Sequence, residues 1–208
     1  VRLPAEFVRD MVLSSSGLLN RTIGGPSVKP YQPKGMWEAA TSGRGVLAIY
    51  QQDHDSSLYR RGIYTFIKLT VPPPSMMIFD ASNRDQCEVR RLKTNTPLQA
   101  LVMMNDPTVL EASRVLAQKL NGESTTANDK IEKAFRLIVC RKTTDKEMQI
   151  MTDYYKSQLQ LFQQKQLDAV TTLKVGEYKQ DDKLDKNTTA ALMKTIESMY
   201  NLDEAITK

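Results

Sequence analysis

Two prolines placed directly after capping residues, Thr96-Pro97 and Asp106-Pro107, constrain this chain more than any other feature. Proline is tolerated at the first helical position, where its missing N–H would be orphaned anyway, and a preceding Thr or Asp can accept from the first free amides. In "TNTPLQALVMMND" the spacing Thr96-x-x-Gln99 matches a capping box, so a helix is expected from Pro97. A second helix, "NDPTVLEASRVLAQKLNG", is expected from Pro107 to Asn121-Gly122, with Val109, Ala112, Leu116 and Leu120 inward. A third covers roughly residues 128–140, with Ile131, Ala134, Phe135, Ile138 and Val139 on its apolar face. Thr144-x-x-Glu147 is another capping box and opens a long helix through "MQIMTDYYKSQLQLFQQKQ". A charge-balanced stretch, 171–186, reads as a loop or frayed helix end before a last helix, "TTAALMKTIESMYNL".

The first 95 residues are punctuated differently. "LPAEFVRDMVLSSSGLL" reads as a helix, with Pro4 at its first position and Phe7, Val8, Met11, Val12 and Leu13 as its apolar face. Residues 20–45 are rich in Gly and Pro and read as an ordered loop anchored by Tyr31 and Trp37. "VLAIY" and "IYTFIKL" alternate like strands of a short β-hairpin, and a helix through "LYRRGIYTFIKLT" is the competing reading. "VPPPS" ends whatever precedes it. The expected fold is therefore mainly α, a single domain over 1–208, with an irregular Gly/Pro-rich half (1–95) packed on a helical half (96–208).

Composition narrows the function classes. The net charge of +5 comes from basic and acidic residues interleaved along the chain, which argues against a nucleic-acid binder, since such proteins concentrate Lys and Arg on one face. Cys87 and Cys140 are far apart and lack a CxxC partner, so no zinc knuckle or haem-attachment motif is present; one disulfide or two buried thiols are the readings left open. There is no run of about 18 apolar residues and hence no expected transmembrane segment. The chain begins "VRLPAEF", which reads as a piece of a longer protein, so the lack of a targeting signal says nothing about compartment.

Three polar groupings could carry chemistry. Asp53-His54-Asp55 holds the only histidine, but adjacent side chains diverge and no second histidine completes a usual ligand set, so no metal is expected. Ser14–Ser16 is no GxSxG elbow and reads as a solvated helix end. The strip from Asp80 to Lys93 is the strongest candidate. Arg84, Arg90 and Arg91 could fork onto a carboxylate, sulfate or phosphate, with Asp80 or Asp85 as base or hydroxyl acceptor. The alternative is an ion-pair frame in which these arginines bond to Asp80, Asp85, Glu88 and loop carbonyls, and the mixed signs favour it. Arg60, Arg61, Cys87, Thr96, Pro97, Gln99, Asp106 and Pro107 are candidate structural residues.

The segments "RDMVLSSSGLLNRTIGGPSVKPYQPKGMWE", "LYRRGIYTFIKLTVPPPSMMIFDASNRDQCEVRRLKTNTPLQALVMMNDPTVLEASRVLAQKL" and "YNLDEAITK" together resemble the PSD domain family of unknown function, a Planctomycete-type C-terminal module found after cytochrome-like modules. The family motif falls on Arg60, Arg61, Pro72, Pro74, Phe79, Asp80, Arg84, Cys87, Arg90, Arg91, Thr94, Thr96, Pro97, Gln99, Asn105, Asp106 and Pro107, none with an established catalytic role. "NLDEAITK" departs from the family's aromatic and arginine near the end, which bears on terminal packing alone. The resemblance implies that the chain is the C-terminal portion of a larger module in an exported, periplasmic or cell-surface protein. Haem would belong elsewhere in the parent protein, with no cofactor in this chain, and the partners would be other domains of the parent and polysaccharide. The functional expectation is an accessory or interaction module. An enzyme or binding domain acting on polysaccharide through the Asp80–Arg91 strip is the alternative.

Overall fold

A computed structural model describes residues 1–41, 48–82, 84, 87–123 and 126–207, and it is mainly α-helical, with no sheet among them. The centre is a pair of helices, α5 (Pro107–Glu123) and α9 (Lys186–Tyr200), lying against each other. Helices α6 (Ala127–Val139), α7 (Asp145–Gln163) and α8 (Ala169–Leu173) close around α9, which is why it is buried on nearly every side, from Ala190 and Ala191 to Met199 and Tyr200. The inward residues expected on α5 and α6 are all buried. Apolar burial of this kind yields roughly 25 cal/mol per Å² and is the main force holding helices too short to be stable alone.

Local signals explain most helix ends here. Thr144 accepts from the Glu147 amide at 3.3 Å while Glu147 accepts from the Thr144 amide at 2.7 Å, a complete capping box at the start of α7. Thr126 caps α6 in the same manner through the Asp129 amide. One end differs from expectation: α5 does not stop at Asn121-Gly122 but continues to Glu123. The Asn121 amide donates to Thr189 Oγ1 of α9 at 3.0 Å, so Asn121 is held as a packing residue and not as a terminator.

In the N-terminal half, α1 (Ala5–Ser16) ends at Gly17 in the left-handed region (φ +84°), and Pro4 is its cap residue, one position earlier than expected. Phe7 is exposed, contrary to the expected apolar face, because the buried stripe runs through Ala5, Val8, Val12 and Leu13. Ser15 and Ser16 are buried, not solvated: their hydroxyls bond to carbonyls one turn back, and Ser15 meets the Tyr200 hydroxyl at 2.7 Å. Within the expected loop, Met36–Thr41 forms a short helix, α2, that buries Trp37 against the rings of Tyr50 and Phe66.

The β-hairpin is not formed among the described residues; Val46 and Leu47 of its first run lie outside them. The backbone of "IYTFIKL" is taken by a remote partner, since Val28 donates to Tyr64 O and accepts from Phe66 N, both at 2.8 Å, after a 3-10 turn at Gly62–Tyr64. Two short helices, α3 (Pro74–Ile78) and α4 (Pro97–Asn105), carry the chain to α5. At the C-terminus α10 (Asp203–Ile206) buries Ala205 and Ile206, and Leu3 N donates to Ile206 O at 2.9 Å, tying the two ends together.

A buried polar node joins the halves. Glu111 and Arg114 of α5 are both fully buried. Glu111 accepts from the Tyr31 and Tyr59 hydroxyls (3.1 and 3.0 Å) and from Tyr178 N (2.6 Å), while Arg114 donates to Val175 O, Tyr178 O and Gln118. Burial and the Glu111 charge push both tyrosine hydroxyls well above their ordinary range. The stretch 174–180 is therefore pinned, and Gly176 is required there: a Cβ would lie 2.1 Å from Glu111 Cδ, at φ +73°.

Candidate functional site

The charged strip folds as a turn-rich segment, with Asp80 (φ +58°) and Arg84 (φ +61°) in the left-handed region. Asp80 accepts from the Thr94 amide at 2.7 Å and from its hydroxyl at 2.9 and 3.0 Å, so its carboxylate closes a loop and, among the described residues, meets no arginine. Arg91 Nη1 donates to both carboxylate oxygens of Glu6 of α1, at 2.8 and 3.0 Å. Burial resists ionisation of Glu6, but the hydrogen bond and charge of Arg91 outweigh it and hold that carboxyl below its usual range. Arg84 and Arg90 are exposed, and Asp85 lies outside the described residues. The one strip arginine with an ion-pair partner among the described residues thus finds it on α1, at Glu6, and not at Asp80 or Glu88 as the sequence suggested; the fold brings Glu6 to Arg91 from a distance no local pattern records. The crevice beside Asp80 has a volume of about 30 Å³, room for little more than a water or two.

The structural candidates sort similarly. Arg61 pairs with Asp10 at 3.1 Å, and Asp10 also accepts from Gly62 N at 2.6 Å. Arg60 is buried among the carbonyls of Thr22, Gly24 and Pro26. Cys87 and Cys140 are both exposed and unbonded, which overturns the disulfide and the buried-thiol readings alike; Cys140 sits at the α6 C-cap with φ +68°, where burial would need an inward-facing helical position. Pro97 does start α4, but Thr96 makes no side-chain cap. Gln99 cannot reach back to Thr96 because it is buried and committed elsewhere, donating to Ile78 O (2.8 Å) and Thr94 Oγ1 (3.1 Å) and accepting from Arg2 (2.5 Å). Asp106 Oδ1 accepts from Thr108 N at 2.8 Å and so caps α5 ahead of Pro107. Asp53 bonds Lys29 N and His54 bonds Glu177, and no metal-ligand cluster occurs among the described residues.

A larger concavity lies where the sequence did not point. A groove of about 600 Å³ runs between α3, α4 and the 31–33 segment, walled by Pro74, Ile78, Leu101 and Pro107 with Tyr31 and Gln32 opposite. Ser75, Val102 and Asp106 also border a smaller chamber of about 50 Å³, where Arg9 of α1 sits with Thr108. Arg9 donates to Leu58 O at 2.5 Å and Thr108 Oγ1 at 3.3 Å, while its buried Nε makes no hydrogen bond; the buried Gln32 Nε2 makes none either. Burial pushes the Arg9 guanidinium down and the charges of Asp106 and Asp10 push it up. Among the described residues Asp106 is the only carboxylate on the walls of groove or chamber. Arg9 was open to notice, as a cation inside the apolar run "FVRDMV", whereas nothing local marks Gln32.

This geometry offers hydrogen-bonding amide and hydroxyl groups and one carboxylate beside an apolar wall. It lacks the second facing carboxylate that hydrolysis of a glycosidic bond requires. A family model described as PSD1, protein of unknown function (DUF1553), matches residues 1–155, which include every residue of the groove. No curated protein and no solved structure matches the chain.

Proposed function

The chain belongs to the PSD1 family of proteins of unknown function, and from that membership we propose that it is a non-catalytic accessory module of an exported, cytochrome-associated multidomain protein, holding a neutral polysaccharide segment in the α3–α4 groove. One observation carries the reading. Gln32 and the carboxylate of Asp106 stand in the groove beside an aliphatic wall, with Arg9 in the adjoining chamber that Asp106 also borders, which suits a ligand that is hydroxyl-bearing on its edge and apolar on its face. A volume of about 600 Å³ is in the range of ligand clefts. Haem belongs to other modules of the parent protein in this reading. Neighbouring domains would cover the exposed apolar residues Val89, Leu92, Leu98 and Met104.

The test is titration calorimetry against neutral soluble polysaccharides, with Ser75→Trp as the variant that fills the mouth of the chamber. Wild type should bind one of them without releasing new reducing ends, and S75W should fold with an unchanged melting temperature and bind none. Equal binding by folded S75W removes the groove from the function. Release of reducing ends would replace the accessory module with an enzyme.

A further inference from the structure

Away from the groove, and sharing no lining residue with it, an open polar pocket of about 360 Å³ is built around Arg60 by the Gly24–Val28 turn and the serines of the 3-10 helix Asp55–Tyr59. Arg60 is 6 % exposed, yet everything its guanidinium touches is neutral: Pro26 O at 2.6 Å, Thr22 O at 3.4 Å, Gly24 O, and the Tyr64 ring at 3.9 Å. Its Nε has no partner, and no carboxylate among the described residues pairs with it. A buried charge without a counter-ion is costly, and carbonyl dipoles and an aromatic face offset only part of that cost. Around the guanidinium, Thr22, Ser27, Ser56 and Ser57 line the pocket with hydroxyls that make no hydrogen bond among the described residues. The one carboxylate on the rim, Asp53, accepts from Lys29 N at 2.7 Å through Oδ2.

We propose that this pocket binds an oxyanion, a phosphate or sulfate group carried on a hydroxyl-bearing molecule. The anion supplies the counter-charge that Arg60 lacks, with serine hydroxyls donating to its oxygens. Asp53 repels a bare ion but accepts from a ligand hydroxyl, which favours an ester such as a sugar phosphate or sugar sulfate over the free ion. The site is independent of the groove and stands or falls without it.

Ser57 precedes Arg60 by one 3-10 turn, its carbonyl accepting from the Arg60 amide at 3.3 Å, so Ser57→Asp places a carboxylate beside the guanidinium. Melting temperature is followed with inorganic phosphate, inorganic sulfate, glucose 6-phosphate and sodium chloride at matched ionic strength. Wild type should rise saturably by about 3–6 °C at ten times the Kd for the oxyanions and not for chloride. S57D should lose that response, and Arg90→Gln, which removes an exposed cation elsewhere, should keep it. Ser27→Asp on the opposite rim gives the same test should S57D fail to fold. A full response in the folded Asp variants, or an equal one to chloride, overturns the site. Tighter binding of inorganic phosphate than of the sugar phosphate overturns the part given to Asp53 and leaves the free ion as ligand.

Discussion

The two halves of this molecule are held together by different physics. From α5 to α9 the chain is stabilised by apolar faces at helical spacing, so that neighbours in space follow from neighbours in sequence. Between Leu18 and Asn95 the described residues hold two short α-helices and two 3-10 turns, and order comes from single polar side chains reaching far along the chain. Arg60 reaches back to the Thr22–Pro26 loop, Asp10 to Gly62, Glu6 to Arg91 and Gln99 to Ile78. Apolar packing degrades gradually because each contact is small. A buried polar tie fails abruptly, because the partner left behind keeps its desolvation cost.

That contrast is broken most forcefully at the node where the halves meet. Glu111→Ala leaves Arg114 buried without its carboxylate and strips Tyr31, Tyr59 and Tyr178 N of their acceptor; a loss of about 3–5 kcal/mol is expected. Gly176→Ala should do comparable damage by driving a methyl into the same carboxylate. Phe135→Ala in the fully buried face of α6 should also cost about 3–5 kcal/mol, but through a cavity. Chemical denaturation measures all three, and proteolysis separates them: the Glu111 variant should become cleavable in both 20–60 and 174–180, the Phe135 variant only in step with global unfolding. Identical cleavage patterns would mean that one cooperative core governs both halves.

The same division decides what could be read from the sequence. Val109, Ala112, Leu116 and Leu120 were legible because a 3.6-residue period is a local signal, and Thr144-x-x-Glu147 because its capping box is closed within four residues. Thr96-x-x-Gln99 carries an equivalent signature and gives no box, since the use of Gln99 is fixed by Ile78 and Arg2, which no short window contains. The strand reading of 63–69 survives only as isolated bridges at Thr65 and Lys68, since Ile63 and Tyr64 belong to a 3-10 turn, and the partner Val28 was not legible because pairing depends on how the Gly24-Gly25-Pro26 turn returns. At the groove, Asp106 and Pro107 were visible as a helix start. Their neighbours Arg9 and Gln32 arrive from more than 70 residues away.

The two capping signatures sharpen the comparison at intermediate size. Gln99→Ala should cost about 1–3 kcal/mol, the penalty of leaving the Ile78 carbonyl and an Arg2 donor unmet in a buried place. Thr144→Ala should cost about 1 kcal/mol, the usual loss of an N-cap, while Thr96→Ala should cost a few tenths at most because Thr96 caps nothing. Equal losses at Thr96 and Thr144, read from denaturation midpoints at constant m-value, would restore the capping box that the geometry denies to α4.

The smallest expected effect tests whether the strip is tied to α1 in solution. Glu6 is held below its ordinary carboxyl value of 4.5, so the folded state binds its proton less readily than the unfolded chain does. The stability it adds is complete above the unfolded value and is lost as pH falls through the lower, folded one. Arg91 is 38 % exposed at its side chain, so solvent screens the pair and its worth stays below about 1 kcal/mol. Glu6→Gln should therefore melt slightly below wild type at pH 7, with the gap closing below pH 4.5 and narrowing in high salt. A gap that persists at acid pH would show that the Glu6 charge is not what ties the strip to α1, leaving the backbone contact of Glu6 with Gly62, where a Cβ would lie 2.7 Å from the Glu6 carbonyl oxygen, as the fastening. In that event the irregular half is fastened to α1 by shape, and the arginines of the strip are left unspent for a ligand.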